Sequence, residues 1–312
     1  MAEIVISEFM DEEVVAELAA EFTVLYDPGL AHRPADLAAA LGDARALVVR
    51  NRTRVDRALL DAAPRLRVIG RLGVGLDNID LEACRERGIA VRPATGANDV
   101  AVAEYVIGTA LWLLRDLTTA TTRMLAGEWP RPEFVGRELA GKTLGLLGFG
   151  RTARAVARRA VAFEMRVIAH DPYLPPEDPA WDGVGRRSLE ALLAEADLLS
   201  LHLPLTPETR GLLDAPRIAR MKRGAVLVNA ARGGILDEPA LAAALREGRL
   251  AGAALDVFAE EPLSREAAAR FRGVPNLLLT PHIAGVTVES NRRVSEVTAE
   301  NLRRLLTTAD GG

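Results

Sequence analysis

Short runs of aliphatic and β-branched residues alternate along the whole chain with longer runs rich in Ala, Leu and Arg. The short runs have the length of buried β-strands, whereas the long runs suit helices, and this alternation is typical of βαβ units. Repeated βαβ units build a parallel sheet that helices cover on both faces. The pattern therefore predicts an α/β fold.

The predicted strands form two series, and each series predicts one doubly wound, Rossmann-like parallel sheet. A length of 312 residues agrees with two domains, because one domain usually holds about 100–200 residues. The first series consists of Glu3–Ile6, Phe22–Leu25, Ala46–Val49, Arg67–Gly70 and Ala90–Arg92. The second series consists of Thr143–Leu147, Arg166–His170, Leu198–His202, Ala225–Asn229, Ala253–Asp256 and Leu277–Leu279.

Two long helices are predicted outside these series. Asp99–Leu117 lies between them as an apolar connector, and the amphipathic segment Val288–Leu306 is expected to return to the first domain. The most apolar stretch, Val102–Leu114, contains Glu104 and is shorter than the roughly 18 residues of a membrane span. We therefore expect a buried helix and no association with a membrane.

Charge and cysteine content exclude several classes of protein. A formal net charge of -4 without a dense Lys/Arg run disfavours binding to nucleic acid or to an anionic membrane. The single cysteine, Cys84, excludes an intramolecular disulfide, and we expect it to be buried. No metal site is predicted. The acidic start MAEIVISEFMDEE lacks the features of an export signal, which predicts a cytoplasmic protein.

The segment TLGLLGFGRTARAVARRAV predicts a dinucleotide site between a strand and a helix. Gly148, Gly150 and Ala153 occupy the positions of the G-x-G-x-x-G/A pattern. Gly148 allows the tight turn, and Gly150 lets the backbone approach a pyrophosphate. Arg151 and Thr152 begin the helix, where unpaired N–H groups and the positive end of the dipole attract phosphate. The alternative is an ordinary glycine-rich turn.

Asp171 strengthens the dinucleotide interpretation and selects the cofactor. It ends the next predicted strand, about 20 residues beyond the glycines, where a carboxylate binds the ribose hydroxyls. Its charge would repel the 2′-phosphate of NADP, and Pro172 and Tyr173 supply no compensating cation. The predicted cofactor is therefore NAD.

Three side chains at strand ends suit hydride transfer to a carbonyl. Arg232, Glu261 and His282 each follow one of the last three predicted strands, and the carboxyl ends of parallel strands line the ligand crevice. Carbonyl reduction needs a cation that polarises the oxygen, a proton donor, and a carboxylate that keeps this donor protonated. The remaining histidines are interpreted as structural or as lying at the edge of the cofactor site: His32, His170 and His202.

The segments NAARGGILDE, ALDVFAEEP and TPHIAG, with GFGRTARAVA upstream, resemble the D-isomer-specific 2-hydroxyacid dehydrogenases over nearly the whole chain. The resemblance implies that Arg232, Glu261 and His282 are catalytic. It also implies a substrate-binding domain of residues 1–97 and 286–312, an NAD-binding domain of residues 98–285, and a cleft between them. Further cofactor-binding residues that it implies are Leu203, Ala230, Asp256 and Gly285.

The same resemblance implies a substrate loop in RLGVGLDNID, where the N–H groups of Val74 and Gly75 bind a carboxylate with Arg50 nearby. A plain βα turn is the alternative. The segments VISEFMD, VVRNRTRV and PHIAGVTVESNRRVS resemble most the sulfolactate dehydrogenase branch. Arg50 and Arg52 would then bind a second anion, a sulfonate or a phosphate. Arg52 equally suits a solvated basic loop.

We expect an NAD-dependent enzyme that interconverts a small D-configured 2-hydroxy acid and its 2-oxo acid, with (S)-sulfolactate and sulfopyruvate as the leading pair. Phosphoglycerate dehydrogenase and hydroxypyruvate or glyoxylate reductase are the alternatives within the family. A corepressor that senses NAD is the alternative from another class, and the complete set of Arg232, Glu261 and His282 favours an enzyme. The resemblance also implies a homodimer in which Met124–Arg137 reaches the partner.

Overall fold

The computed structural model describes residues 2–307, and the chain divides into two compact units. The first unit lies within residues 1–98 and 286–312, and the second lies within residues 99–285. Each unit contains one sheet whose neighbouring strands all run parallel. The predicted α/β class with two parallel sheets is confirmed.

The sheet of the first unit has the spatial order β2-β1-β3-β4-β5. Its strands are β1 (Ile4–Ile6), β2 (Val24–Tyr26), β3 (Ala46–Val49), β4 (Val68–Arg71) and β5 (Ala90–Pro93). The sheet of the second unit has the order β12-β11-β10-β9-β6-β7-β8. Its strands are β6 (Thr143–Leu147), β7 (Arg166–His170), β8 (Gly185–Arg186), β9 (Leu198–Leu201), β10 (Val226–Asn229), β11 (Gly252–Leu255) and β12 (Leu277–Leu279).

Helices connect the strands and cover the faces of each sheet. In chain order they are α1 (Glu12–Ala19), α2 (Pro34–Ala40), α3 (Arg57–Asp61), α4 (Leu81–Glu86), α5 (Asp99–Arg115), α6 (Leu117–Leu125), α7 (Arg151–Ala162), α8 (Leu189–Glu195), α9 (Ala215–Arg220), α10 (Glu238–Arg246) and α11 (Val288–Thr307). The predicted strands β3, β6, β7 and β12 have the predicted bounds, and the others shift by one or two residues. The short edge strand β8 carries too little apolar sequence to be predicted.

Each sheet is buried on both faces, which explains why its strands read as continuous apolar runs. In β3, Leu47 and Val49 belong to one hydrophobic cluster, whereas Ala46 and Val48 belong to the cluster on the opposite face. Strand β10 divides its side chains between two clusters in the same way. Cys84 is buried and has a free thiol, as expected.

The predicted helix Asp99–Leu117 is wrong at its carboxyl end. Helix α5 ends at Arg115, and α6 begins at Leu117. Asp116 between them has a left-handed backbone (φ 47°), which no α-helix accommodates. The interior of α5 is buried against the sheet of the second unit, which confirms the predicted buried helix.

Helix α11 packs on the first unit, as predicted for the amphipathic segment. Its apolar face joins the cluster that covers one side of the first sheet. Gly70 of β4 allows this close approach, because a Cβ there would lie 2.8 Å from Cγ2 of Thr298. Within residues 2–307, none of the helices has the length and apolarity needed to cross a bilayer.

Candidate active site

The glycine loop after β6 has the geometry of a dinucleotide site. Gly148 has φ +88°, and a Cβ there would lie 2.6 Å from the carbonyl oxygen of His202, so only glycine fits. Gly150 is the N-cap residue of α7, and a Cβ there would meet no atom within 4 Å. Ala153, in the first turn of α7, is fully buried. The open space in front of Gly150 fits an approaching pyrophosphate.

Asp171 follows β7 and stands beside this loop. Its Oδ2 accepts a hydrogen bond from the N–H of Phe149 at 2.9 Å, and its Oδ1 accepts from Tyr173 N–H at 2.9 Å and Leu174 N–H at 3.2 Å. A carboxylate oxygen has two acceptor sites, so Oδ2 keeps one site for a ribose hydroxyl. Asp171, which is predicted to bind the ribose, thus also anchors the glycine loop. The sequence pattern did not reveal this second role.

The side chains of Arg151 and Thr152 turn toward Asp99, the first residue of α5. Thr152 Oγ1 donates to Asp99 Oδ1 at 2.7 Å, and Arg151 Nε lies 3.2 Å from Oδ2. The two residues therefore offer a phosphate their backbone N–H groups at the start of α7, where the helix dipole is positive. Sequence reasoning missed Asp99, because nothing in its local sequence points to α7.

His282 and Glu261 form a hydrogen-bonded pair. His282 Nδ1 lies 2.8 Å from Glu261 Oε2, while Glu261 Oε1 accepts from the N–H of Phe258 at 2.9 Å. Burial alone would raise the pKa of Glu261, but these hydrogen bonds and the charges of His282 and Arg232 hold it below its ordinary value. An ionised Glu261 favours the protonated imidazole. The other ring nitrogen, Nε2, is the candidate proton donor.

Arg232 lies on a loop that packs against the segment carrying Glu261. The side chain of Asn229 shapes this loop, since Nδ2 donates to Arg232 O at 3.1 Å and Oδ1 accepts from Ala231 N–H at 3.1 Å. A Cβ on Gly233 would lie 1.7 Å from Phe258 O, so glycine is required where the two segments meet. Glu261 is hydrogen-bonded to His282, and the charge of Arg232 acts on Glu261, so these three residues lie near one another, as their strand ends predict.

Asp256 is buried below the His282 loop. Its carbonyl oxygen accepts from His282 N–H at 2.8 Å, and its carboxylate accepts from the N–H groups of Ile283 and Ala284, each at 2.8 Å. Burial raises the pKa of Asp256 above its ordinary value although these donors oppose the effect. Asp256 was expected among the cofactor-binding residues, and the structure shows that it also holds the backbone around His282.

The remaining predicted cofactor residues lie at the carboxyl ends of the strands. Leu203 follows β9 beside Gly148, Ala230 follows β10, and Gly285 comes three residues after His282; all three are half-buried.

Two other histidines have structural partners. His202 Nε2 lies 2.9 Å from Ser200 Oγ and burial lowers its pKa to about 4, while His170 Nδ1 lies 3.0 Å from Arg187 O.

The first unit contains the loop of residues 50–53, in which Arg50 and Arg52 are predicted to bind a second anion. We call it the anion loop. The buried carboxylate of Glu8 accepts hydrogen bonds from four successive N–H groups, residues 50–53, at 2.8–3.2 Å. Arg50 donates to Asn291 Oδ1 at 3.0 Å, and burial lowers its pKa. Arg52 Nη1 lies 3.2 Å from His32 Nε2. Glu8 thus fixes the backbone from which both arginines project, a role that sequence reasoning missed.

The predicted substrate loop follows β4. Val74 is exposed and Gly75 is half-buried. Gly73, just before them, has φ +141°, a conformation that L-residues rarely adopt. The glycine sets the direction of the loop, so that Val74 stands at the surface.

Comparison with known proteins identifies the family. The family model for the NAD-binding domain of D-isomer-specific 2-hydroxyacid dehydrogenases matches residues 107–284. The chain belongs to this family. An (S)-sulfolactate dehydrogenase from Chromohalobacter salexigens is 54% identical over 98% of this chain and 99% of its own length. The family assignment, the enzyme class of NAD-dependent oxidoreductase and the cofactor predicted from the sequence are confirmed.

Other relatives carry different names. A D-3-phosphoglycerate dehydrogenase from Methanocaldococcus jannaschii is 40% identical over 98% of this chain, which spans 58% of that longer protein. The crystal structure of a D-lactate dehydrogenase from Aquifex aeolicus, complexed with NAD and lactic acid, superposes with a TM-score of 0.84 at 29% identity. The alignment covers 98% of this chain and 96% of that one. These relatives share the fold and differ in the acid that their names specify.

Proposed function

We propose that this dehydrogenase interconverts (S)-sulfolactate and sulfopyruvate, using NAD. The His282–Glu261 pair, at 2.8 Å, supports the reaction type. The choice of substrate rests on the sulfolactate dehydrogenase that matches the chain over nearly its full length. The two arginines of the Glu8-bound loop support it, because a sulfonate is a second anion that guanidinium groups bind well.

When bound at the glycine loop, NADH would supply the hydride that reduces the carbonyl carbon of the 2-oxo acid. His282 Nε2 donates a proton to the carbonyl oxygen, and Glu261 stabilises the imidazole in its protonated form until that step. Arg232 polarises the same oxygen. The reduction yields the 2-hydroxy acid and NAD, and it leaves His282 neutral. His282 takes up a proton from water before the next cycle.

We assign the second unit to NAD, and the first unit to the substrate. Gly148, Gly150 and Asp171 suit the pyrophosphate and ribose. In the first unit, the N–H groups of Val74 and Gly75 suit the carboxylate common to all 2-oxo acids. Arg50 and Arg52 suit the sulfonate, which distinguishes sulfopyruvate from smaller acids.

The test is the rate of NADH oxidation with sulfopyruvate, phosphohydroxypyruvate, hydroxypyruvate and glyoxylate. Sulfopyruvate should give the highest kcat/KM, and Arg52→Ala should raise KM for sulfopyruvate about 10-fold or more while glyoxylate is little affected. Highest activity with phosphohydroxypyruvate would instead assign the protein to the phosphoglycerate dehydrogenases. Absence of turnover with all four acids would favour the NAD-sensing corepressor.

We further propose a homodimer. Several apolar side chains are exposed on α5, α6 and the following segment, including Trp112, Leu125, Trp129 and Val135. Aromatic residues are enriched at interfaces, and the predicted contact segment Met124–Arg137 contains Trp129. Light scattering at micromolar concentration should give a mass near twice 33.5 kDa, and a monomeric mass would refute this.

The cytoplasmic location remains a prediction from the sequence.

A further inference from the structure

A chain of half-buried hydroxyl groups connects α5 to the loop that carries His282. The hydroxyl of Tyr105 lies 2.6 Å from Thr280 Oγ1, and Thr280 Oγ1 lies 2.6 Å from Asp256 Oδ1. Both oxygens of the Asp256 carboxylate already accept from backbone N–H groups, and Thr280 Oγ1 donates to Oδ1, so the single hydroxyl proton of Thr280 is directed to Asp256. Tyr105 must therefore be the donor to Thr280. Burial raises the pKa of Tyr105 to about 12, which keeps this proton in place.

The far end of the chain holds a strained catalytic residue. His282 has φ +57°, and a left-handed conformation in a residue with a Cβ persists only where neighbouring contacts impose it. Asp256 provides these contacts, through its carbonyl to His282 and through its carboxylate to Ile283 and Ala284. The orientation of the imidazole thus depends on the position of the Asp256 carboxylate.

We propose that Tyr105 is a positioning residue for His282, acting through Thr280 and Asp256. The inference rests on the proposed role of His282 as proton donor, and it adds a residue in α5 whose sequence shows no chemical motif. Tyr105 donates the hydrogen bond that orients the Thr280 hydroxyl, and Thr280 in turn fixes Asp256 Oδ1. Tyr105 touches neither His282 nor Glu261 in this chain of contacts.

Phenylalanine provides a clean test of the hydroxyl. The ring of Tyr105 packs against the hydrophobic cluster around α5, and Tyr105→Phe keeps this ring while removing the donor. Tyr26→Phe is the matched control, because the Tyr26 hydroxyl is also hydrogen-bonded, donating to Met10 O at 3.1 Å. The control removes a hydroxyl from the first unit and leaves the Thr280 chain intact.

Two variants of Thr280 test the middle of the chain. Thr280→Ser keeps a hydroxyl that accepts from Tyr105 and donates to Asp256, so it should retain nearly the activity of the unchanged protein. Thr280→Val removes both hydrogen bonds at similar volume. Combining Tyr105→Phe with Thr280→Val should cost no more than Thr280→Val alone, since residues of one network are not additive.

For reduction of the best 2-oxo acid of the panel, Tyr105→Phe should lower kcat about 3- to 10-fold, the equivalent of one neutral hydrogen bond. Thr280→Val should lower it about 10- to 100-fold, because a carboxylate loses its donor. The dissociation constant of NADH, measured by fluorescence, should change less than about twofold. The alkaline limb of the kcat/KM profile should move to lower pH, because a displaced His282 is held less firmly against Glu261.

An unshifted pH profile with unchanged kcat in Tyr105→Phe would overturn the inference and leave the proposed function intact. So would an equal effect of Tyr26→Phe. If the unchanged protein reduces none of the four acids, the proposed function fails instead. In that case, NMR measures the pH midpoint at which the His282 ring titrates in the unchanged protein and in Tyr105→Phe. The ring signal is assigned by its absence in His282→Gln. A midpoint shifted by Tyr105→Phe supports the inference, and an unchanged midpoint refutes it.

Discussion

Glu261→Gln gives the sharpest test of the proposed proton donor. The Glu261 carboxylate accepts two hydrogen bonds, one on each oxygen, from His282 Nδ1 and from Phe258 N–H. The amide of glutamine has one oxygen that accepts and one NH2 group that only donates. The variant therefore removes the negative charge beside the imidazole and leaves one of the two donors without an acceptor.

The magnitude follows from these two losses. A hydrogen bond to a charged group contributes about 1.5–3 kcal/mol. The side chains of His282 and Glu261 are 44% and 35% exposed, so solvent screening reduces this to about 1–2 kcal/mol, or about 5- to 30-fold in rate. The unpaired donor adds a similar factor. The two factors multiply, so the expected loss in kcat/KM is about 25- to 900-fold at alkaline pH.

The pH dependence has a defined sign. The pKa of Glu261 is held below its ordinary value, so the carboxylate remains ionised throughout an assay from about pH 5.5 to 9. Its charge favours protonated His282, and without it the proton donor is lost at lower pH. The loss caused by Glu261→Gln should therefore be smallest at the acidic end and grow with pH.

The assay is kcat/KM for 2-oxo acid reduction across this range, with Glu260→Gln as the matched control. Glu260 is the exposed neighbour, and its substitution makes the same change in net charge. The control should keep the profile of the unchanged protein. A constant ratio of activities between Glu261→Gln and the unchanged protein at every pH would refute the pairing.

Further predictions concern the cofactor loop and the anion loop. Gly150→Ala should fold with an unchanged melting temperature and bind NADH at least about 10-fold more weakly, whereas Gly148→Ala should lower the melting temperature, because its Cβ meets backbone. Asp171→Ser with Pro172→Arg should raise kcat/KM for NADPH relative to NADH in steady-state assays; a protein that already prefers NADPH would contradict this. Glu8→Gln should destabilise the protein by about 1–3 kcal/mol in denaturant unfolding, since four N–H groups face that carboxylate.

Local patterns in the sequence determine most of the fold of this protein. Buried parallel strands such as β6 and β10 are recognisable because both of their faces are apolar. The glycine loop, Asp171 and the residues at the strand ends are equally visible, since chain direction and strand period place them at one edge of a sheet. For each of these features, the pattern that reveals it lies within one strand and the loop that follows it.

Only the tertiary structure decides which distant groups meet. The break at Asp116 depends on a single left-handed residue, and the propensities of its neighbours would have continued the helix. Asp99 binds the first turn of α7, and Tyr105 reaches Thr280, although these pairs are far apart in sequence. The left-handed backbone of His282 is imposed by Asp256 from a neighbouring strand end. A hydrogen bond between distant segments depends on packing that no short pattern encodes, so the sequence identifies the chemical groups and the folded chain sets their geometry.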